Sequence, residues 1–367
     1  MYKITYKGKS DAGRIRTNNE DAYIVQTLWD DKHVLGVAID GVGGYDGGER
    51  AAEIAKESIV SYLKKYPNGE RLDLLKQAVV DANNKILKER NTKRQFPKMS
   101  CVLTACLVEI EKKQINMAHV GDTRLYQYCH GKLKKLSHDH SLVGYREEIG
   151  NLTEKEAMNH PQRNIINRLI GDEMHQVDDQ DFLEASTFPL LSNTTLLLCS
   201  DGLCDMLTSA EMVLVLQQDI PLEEKVDQLI LCANNKGGKD NITVVLIEYS
   251  SNEEGQKNPN VEQEFVSNLV DTEAKGKTDV KELESGKKNR NVFKFLLFIL
   301  LTLMIGLAAG WLLHERYSEL SGKISLNSVL QSKDTAVMEL NDSSSIRVTG
   351  IDLARDTILK ENQPDSQ

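Results

Sequence analysis

The chain has 367 residues, a formal net charge of −10, 40 % apolar residues and 27 % charged residues. This length and composition fit a globular protein with one large domain or two average ones. The acidic balance argues against binding to a nucleic-acid backbone, which needs a basic face, and ordinary acidic solubility is the simpler interpretation.

Residues 1–249 alternate short apolar runs with helical patterns. Strands are expected at His33–Ile39, Cys101–Glu109, Gln114–Val120, Thr194–Ser200 and Ile242–Tyr249. Helices are expected at Glu49–Tyr66, Leu72–Arg90, Ser209–Gln217 and Leu222–Asn234. Some strand patterns follow one another without a helix between them, so a clean strand–helix–strand repeat is excluded and an α+β layered domain is favoured.

A polar segment and a long apolar run follow this domain. Residues 250–290 mix acidic and basic residues with few aromatics, which predicts a flexible linker. Residues 295–313 carry no charge and, as a helix, would cover about 28 Å, close to the ~30 Å hydrocarbon core of a bilayer. A buried core helix of this length would show a polar stripe, which this run lacks. The sequence therefore predicts a single transmembrane helix at 291–313.

The charges around this apolar run predict its orientation in a cell membrane. Four basic residues lie just before it: Lys287, Lys288, Arg290 and Lys294. Mixed charges follow it, so the positive-inside bias places residues 1–249 in the cytoplasm and the tail 314–367, of unknown role, on the extracytoplasmic side. Gly306 and Gly310 have the G-x-x-x-G spacing that supports helix dimerisation, although glycine is common in membrane helices anyway.

The cysteines indicate a reducing compartment. The chain has six of them, with no C-x-x-C pair and no histidine at zinc-ligand spacing. We therefore expect structural, free thiols. The N-terminus has no apolar segment of the kind found in a secretory signal. Both observations agree with a cytoplasmic domain.

A glycine-rich stretch follows the first predicted strand. Asp40 ends the apolar run, and five glycines come next: Gly41, Gly43, Gly44, Gly47 and Gly48. No Lys-Ser or Lys-Thr pair follows, as a P-loop would need, and Asp46 stands where the dinucleotide pattern needs its third glycine. Taken alone, the stretch is typical of a tight turn.

Acidic residues recur beside the predicted strands. Asp40, Asp122 and Asp201 each follow an apolar run, and Asp240 comes just before the last one. Carboxylates gathered at one edge of a sheet repel each other unless a cation holds them together. A cluster without histidine or cysteine suits a hard divalent cation, Mg²⁺ or Mn²⁺. Because Gly41 has no side chain, its carbonyl can join the coordination.

Residues 13–25 contain a second charged motif. Arg14 and Arg16 come just before the polar run Asn18–Asp21. In isolation such a run is a solvated turn. Beside a metal cluster, an arginine offers bidentate capture of a phosphate, and a carboxylate can orient metal-bound water.

Seven motifs occur in the order and spacing of a known family: "RTNNED", "DGVGG", "VGDTRLY", "DHSLV", "HPQRNIINRLIG", "SDGLCDMLT" and "GGKDNITVVLI". Through them, residues 5–248 resemble the metal-dependent Ser/Thr protein phosphatases of type 2C (the PPM family), and above all their bacterial branch. The resemblance implies a four-layer αββα sandwich with two metals, Mn²⁺ or Mg²⁺, in a cleft at one edge of the central sheets. It does not cover the linker, the apolar run or the tail.

The resemblance also implies roles for the acidic residues. Asp40 would bridge both metals, and the carbonyl of Gly41 would join one of them. Asp201 and Asp240 would hold the other. A third, weaker metal site of the bacterial branch would use Asp122 and Asp205 together with Asp201.

Three further residues of the "RIRTNNED" motif match family positions. Glu20 and Asp21 belong to the shell around the metal on the Gly41 side, either through bound water or directly. Arg16 matches the family's phosphate-binding arginine. Asn241 completes the family's Asp-Asn pair, without an implied role of its own.

The sequence departs from the family at Val42, where eukaryotic members often carry a histidine proposed as a general acid. Valine cannot transfer a proton, so the leaving group must be protonated by metal-bound water or by another residue. "GDTR" in place of "GDSR" keeps the hydroxyl and is expected to be neutral. His138 and His140 look like metal ligands, but residues 137–141 match a structural segment of the family.

The expected activity is hydrolysis of phosphoserine and phosphothreonine in cytoplasmic proteins, by water activated between two metals. A Ser/Thr kinase would supply these substrates. A nucleophilic-cysteine phosphatase is excluded, because no cysteine is followed six residues later by arginine. The alternatives are hydrolysis of a small phosphorylated metabolite and a catalytically inactive, membrane-anchored scaffold or sensor. Inactive members normally lose acidic ligands, whereas all the expected ones are present here.

Overall fold

The computed structural model describes residues 2–43, 47–93, 95–179 and 181–251. The strands are β1 Tyr2–Asp11, β2 Ala22–Thr27, β3 His33–Val42, β4 Ser100–Glu109, β5 Gln114–Val120, β6 Arg124–Cys129, β7 Lys132–Lys135, β8 Glu184–Pro189, β9 Thr194–Cys199 and β10 Ile242–Ser251. The helices are α1 Gly47–Lys65, α2 Arg71–Thr92, α3 Leu142–Glu148, α4 Glu154–Met158, α5 Asp201–Cys204, α6 Ser209–Leu216 and α7 Leu222–Asn235.

The strands form two five-stranded sheets in which every neighbouring pair is antiparallel. Sheet I has the strand order β1-β10-β9-β6-β7, and sheet II has the order β2-β3-β4-β5-β8. The first and last described strands, β1 and β10, pair along their whole length, from Tyr2 opposite Ser251 to Asp11 opposite Ile242. This pairing brings the two ends of the described chain together in sheet I.

Three apolar layers hold the sheets and helices together. Side chains alternate along β3, so that Leu35, Val37 and Ile39 pack against α1 and α2, while Val34 and Ala38 pack against sheet I. A separate cluster lies between sheet I and the helices α5, α6 and α7. The order of layers is therefore helices, sheet II, sheet I, helices, which confirms the predicted α+β class and the four-layer αββα arrangement.

The strongest sequence patterns are confirmed with small changes at their ends. β5 has the predicted bounds, whereas β3 continues past Ile39 to Val42 and thereby includes Asp40 in the sheet. Strands β1, β2, β6, β7 and β8 and the short helices α3, α4 and α5 were not predicted.

The predicted transmembrane helix does not belong to the part of the chain that the structure describes. In the described part of the chain, no helix combines the length and the apolar character that a membrane span requires. The predicted helix at 291–313, the rest of the linker at 250–290 beyond Ser251, and the tail at 314–367 lie outside the described residues.

Candidate metal centre

The predicted acidic residues meet at one edge of the two sheets. Asp40 lies near the end of β3, Asp201 begins α5 two residues after the end of β9, and Asp240 precedes β10. The antiparallel register of β9 and β10, with Cys199 opposite Val244, brings Asp201 and Asp240 to the same end. Because Ala22 of β2 lies opposite Ile39 of β3, the next register position places Asp21 beside Asp40.

The glycines let the chain segments at this edge approach closely. A β-carbon on Gly41 would lie 2.4 Å from the carbonyl oxygen of Gly48 and 2.6 Å from that of Glu20. A β-carbon on Gly48 would lie 2.2 Å from Oε2 of Glu20. Glycine is therefore required at both positions. The end of β3, the start of α1 and the side chain of Glu20 share one small space.

Burial and mutual repulsion disfavour the charged form of these carboxylates. Burial raises the pKa values of Asp40 and Asp201 well above the ordinary value of an aspartate, and neighbouring aspartates raise both pKa values further. Burial likewise raises the pKa of Asp21 to about 7, although the Ser200 hydroxyl donates a hydrogen bond to its Oδ2 over 2.7 Å.

One carboxylate oxygen in this cluster has no hydrogen-bond partner among the described residues. Oδ1 of Asp201 is buried and accepts no hydrogen bond from any described residue. An unpaired buried oxygen is costly in a folded protein, whereas a cation would satisfy it and relieve the repulsion between the aspartates. The donors are carboxylate and carbonyl oxygens, which Mg²⁺ and Mn²⁺ prefer. The residues present therefore fit a divalent metal centre.

A neighbouring pocket contains the residues expected to form a third site. Asp122, Asp201 and Asp205 line it together with Arg124, Asp139, Arg163 and other residues. Burial raises the pKa of Asp122 to about 7. Arg124 bonds the neighbouring Asp139 at 2.6 Å, and although burial alone would raise the pKa of Asp139, Arg124 and Lys135 hold it at about 2.

Two arginines form ion pairs with different members of the acidic cluster. Nη2 of Arg16 lies 2.8 Å from Oδ2 of Asp240, and half of the Arg16 side chain is exposed. Nε of Arg163 forms an ion pair with Asp205. Arg163 was not singled out from the sequence, although it belongs to the "HPQRN" motif that carries the family resemblance.

Asn241 is the second residue whose role the sequence did not reveal. Its Nδ2 donates hydrogen bonds to the carbonyl oxygens of Ala12 and Asn18 over 3.0 and 2.9 Å. Its Oδ1 accepts a hydrogen bond from the backbone N–H of Glu20 over 2.8 Å. The side chain thus connects the start of β10 to residues 12–20 and holds Glu20 in place.

The structure also gathers two histidines and a glutamate outside this cluster. Potential ligand atoms of His119, His140 and Glu184 all lie within 4.8 Å of one another, and the aspartates form no such compact group within the described ranges. The histidine atoms already have protein partners. His119 contacts Thr104 and the carbonyl of His138, and His140 Nδ1 accepts the N–H of Gly121 over 3.1 Å.

His138 and Val42 also have ordinary structural roles. Nδ1 of His138 lies 2.8 Å from the Glu184 carboxylate. Val42 ends β3, and its carbonyl accepts a hydrogen bond from the Ser100 hydroxyl. The side chain of Val42 offers no proton, as the sequence indicates.

The chain is similar in sequence to known protein phosphatases. The sequence model described as "Protein phosphatase 2C" matches residues 12–246. The serine/threonine phosphatase stp of Listeria welshimeri is 35% identical over 252 residues, which cover 68% of this chain and 97% of that protein.

Two solved structures are similar over the same region. The Streptococcus agalactiae serine/threonine phosphatase superposes with a TM-score of 0.59 and 31% identity, covering 67% of this chain and 99% of its own. The catalytic domain of the serine/threonine protein phosphatase PstP, in complex with two manganese ions, has a TM-score of 0.59 and 27% identity, covering 68% of this chain and 100% of its own.

Proposed function

The chain belongs to the protein phosphatase 2C family and is a metal-dependent protein serine/threonine phosphatase, and we propose that it hydrolyses phosphoserine and phosphothreonine at the acidic cluster. The observation that carries this assignment of the site is the buried, unpartnered Oδ1 of Asp201 among aspartates whose charged forms are disfavoured. Such an arrangement is unfavourable without a cation and favourable with one.

Each acidic residue then has a role as a ligand or a supporting group. Asp40, the carbonyl of Gly41, Asp201 and Asp240 would hold the two cations. Two divalent cations, Mn²⁺ or Mg²⁺, would lower the pKa of a water and neutralise the charge of the phosphoryl group. Glu20 and Asp21 complete the Gly41 side, and their positions depend on Asn241 and Ser200.

A third, weaker site would use Asp122, Asp201 and Asp205. Its support is the pocket that these three residues line together. Arg163 pairs with Oδ2 of Asp205 there, which leaves the other carboxylate oxygen of Asp205 for a cation.

Arg16 binds and orients the phosphoryl group in this proposal. One N–H group of its guanidinium donates to Asp240, and half of the side chain is exposed. The planar fork can present its other N–H groups to two phosphoryl oxygens at once. Val42 cannot protonate the departing serine or threonine oxygen, so that proton comes from another group.

The test is turnover of para-nitrophenyl phosphate by the purified chain with Mn²⁺, with and without chelator. We expect activity that needs Mn²⁺ and that falls by at least about a hundredfold in Asp40→Asn, because charge stabilisation by a single preorganised group is commonly worth 10²–10³ in rate. Activity without a divalent cation, or full activity in Asp40→Asn, would contradict the proposal.

The second part of the proposal concerns location. We infer that a single helix at 291–313 tethers the phosphatase domain to the lipid bilayer of the cell membrane, with residues 1–249 in the cytoplasm and residues 314–367 outside. Support comes from the charge-free apolar run and from the basic residues before it. The substrates would then be cytoplasmic phosphoproteins made by a Ser/Thr kinase, and Gly306 and Gly310 would allow helix dimerisation.

A further inference from the structure

Two loops that meet beside Asp240 carry basic side chains. The backbone N–H groups of Arg14 and Ile15 both donate to the carbonyl oxygen of Gly238, over 2.7 and 3.2 Å. A β-carbon on Gly13 would lie 2.2 Å from the Asp240 carbonyl oxygen. The loop before β2 and the turn before β10 are therefore packed directly together. Arg14 belongs to the first and Lys239 to the second, and we call these two residues the basic rim.

The charges of Arg14 and Lys239 are unpaired. Both residues are exposed, and across the described ranges neither side chain takes part in a hydrogen bond or an ion pair. Neighbouring basic residues differ, since Arg16 pairs with Asp240 and Lys9 pairs with Asp227. Arg14 and Lys239 are thus two cations that are close in sequence to Arg16 and Asp240 and that form no ion pair with any described carboxylate.

An acidic segment begins beside β4, at the other edge of β3 from the loop that carries Arg14. Across the end of sheet II, Gly41 lies opposite Cys101, and Cys101 bridges to Ile170. The chain that continues from Ile170 carries five acidic residues: Asp172, Glu173, Asp178, Asp179 and Asp181. In this group Asp172 is paired with Arg90, and Asp179 with His175. The loop with Arg14 precedes β2, whereas the acidic segment starts beside β4, so the two segments begin at opposite edges of β3.

We propose that Arg14 and Lys239 form a subsite for a negatively charged side chain of the substrate protein, within a few residues of the phosphorylated serine or threonine. The inference rests on the proposed function, because it places the reacting phosphoryl group at Arg16 and the acidic cluster. Arg14 is two residues from Arg16, and Lys239 is adjacent to Asp240. The ligand is either a carboxylate or a second phosphoryl group, since both bind to exposed cations.

The charge asymmetry also gives the substrate one preferred direction. An acidic residue near Arg14 and Lys239 is attracted to these cations, whereas the same residue on the β4 side approaches the acidic segment and finds Arg163 already paired with Asp205. We therefore expect the acidic residue to be favoured on only one side of the phosphorylated residue in the substrate sequence.

The test compares dephosphorylation of phosphothreonine peptides by the full-length protein. The peptides carry neutral neighbours, aspartates on the N-terminal side, aspartates on the C-terminal side, or a second phosphothreonine. The readout is the ratio of kcat/KM between an anionic and the neutral peptide, because a general loss of activity cancels in this ratio. An exposed ion pair changes such a ratio by up to about fivefold, so two cations predict a preference of about threefold to tenfold.

Matched variants locate the preference. Arg14→Gln combined with Lys239→Gln should lower the ratio to about one, and Arg14→Lys, which keeps the charge, should retain most of it. Lys3→Gln is the control, because Lys3 is exposed without a described partner at the other end of β1. The aspartate and diphosphorylated peptides distinguish carboxylate from phosphoryl binding.

The two proposals can fail separately. If the wild-type protein shows no Mn²⁺-dependent turnover of para-nitrophenyl phosphate, the proposed function fails. If that turnover is present but the peptide ratio is near one, or the ratio is unchanged in the double variant, the subsite is wrong and the proposed function stands.

Discussion

Gly48 lies where the Glu20 carboxylate leaves no room for a β-carbon. An added methyl group would be 2.2 Å from Oε2 of Glu20 and 2.8 Å from the Gly41 carbonyl oxygen. We expect Gly48→Ala to displace Glu20, to weaken Mn²⁺ binding by at least about tenfold, and to lower the free energy of unfolding by about 1–3 kcal/mol. Calorimetric Mn²⁺ titration and urea unfolding measure both effects.

Gly47→Ala is the matched control for this substitution. A β-carbon on Gly47 would meet nothing closer than 3.7 Å, and alanine favours a helix over glycine by up to about 1 kcal/mol. We expect unchanged Mn²⁺ affinity and equal or higher stability. Equal effects of the two substitutions would show that helix geometry matters here and the contact with Glu20 does not.

The aspartates also predict how Mn²⁺ stabilisation depends on pH. Without a cation, Asp21 and Asp122 have pKa values of about 7 in the folded protein, against about 3.9 in an unfolded chain. Their protonated forms therefore stabilise the fold below pH 4, and this contribution is lost as the pH rises through 7. Mn²⁺ competes with these protons, so its effect should grow over the same range.

Thermal unfolding with Mn²⁺ and with chelator, between pH 5 and 7.5, measures this competition. The difference between the two Tm values is the informative quantity, because groups away from the metal shift both curves alike. His140, with a pKa lowered to about 3 by burial, His119 and Arg168, is such a group. A Tm difference that is constant or that shrinks as the pH rises would contradict the assignment of the aspartates as ligands.

At the scale of elements, Asn241 joins residues that are more than two hundred positions apart. Its side chain makes three hydrogen bonds, to Ala12, Asn18 and Glu20, and the residue is buried. Asn241→Ala leaves these backbone groups without their partner, which should cost about 2–4 kcal/mol at roughly 1 kcal/mol per bond. Urea unfolding should detect this loss, and Asn91→Ala on the exposed end of α2 is the control. A cost below about 0.5 kcal/mol would show that water replaces these bonds.

How far the sequence predicts elements depends on how much of each is buried. β4 and β9 are buried throughout, and β3 and β10 nearly so, so their apolar runs are unmistakable. Two of the missed strands have mixed surfaces: β7 has the sequence KLKK, and β8 is half-exposed. The Thr153–Glu156 capping box of α4 was a readable signal, but a five-residue helix gives no periodic pattern.

The residues of the site also differ in how far the sequence predicts them. Asp40, Asp201 and Asp240 could be predicted because each stands beside an apolar strand and the register of a sheet then brings them together. The bonds of Asn241 and the ion pair between Arg163 and Asp205 could not be predicted, since they depend on how irregular loops fold over the sheet edge. Composition and spacing do not determine such loop paths.

At the scale of the whole molecule, the described domain and the C-terminal sequence make separate predictions. The domain contains every residue proposed for catalysis, and residues 291–313 supply the proposed tether. A protease added outside intact cells should remove only the tail after His314. Loss of the N-terminal domain in that experiment, detected with an N-terminal epitope, would contradict the cytoplasmic assignment.

The central claim is that the carboxylates at the strand ends hold the divalent cations. Calorimetric titration of Mn²⁺ into wild-type protein, Asp40→Asn and His119→Ala tests it most directly. We expect at least two Mn²⁺ ions to bind the wild type, this binding to be lost in Asp40→Asn, and binding to be unchanged in folded His119→Ala. Retained binding in Asp40→Asn, with loss in His119→Ala, would place the metal at the histidine group and contradict the account.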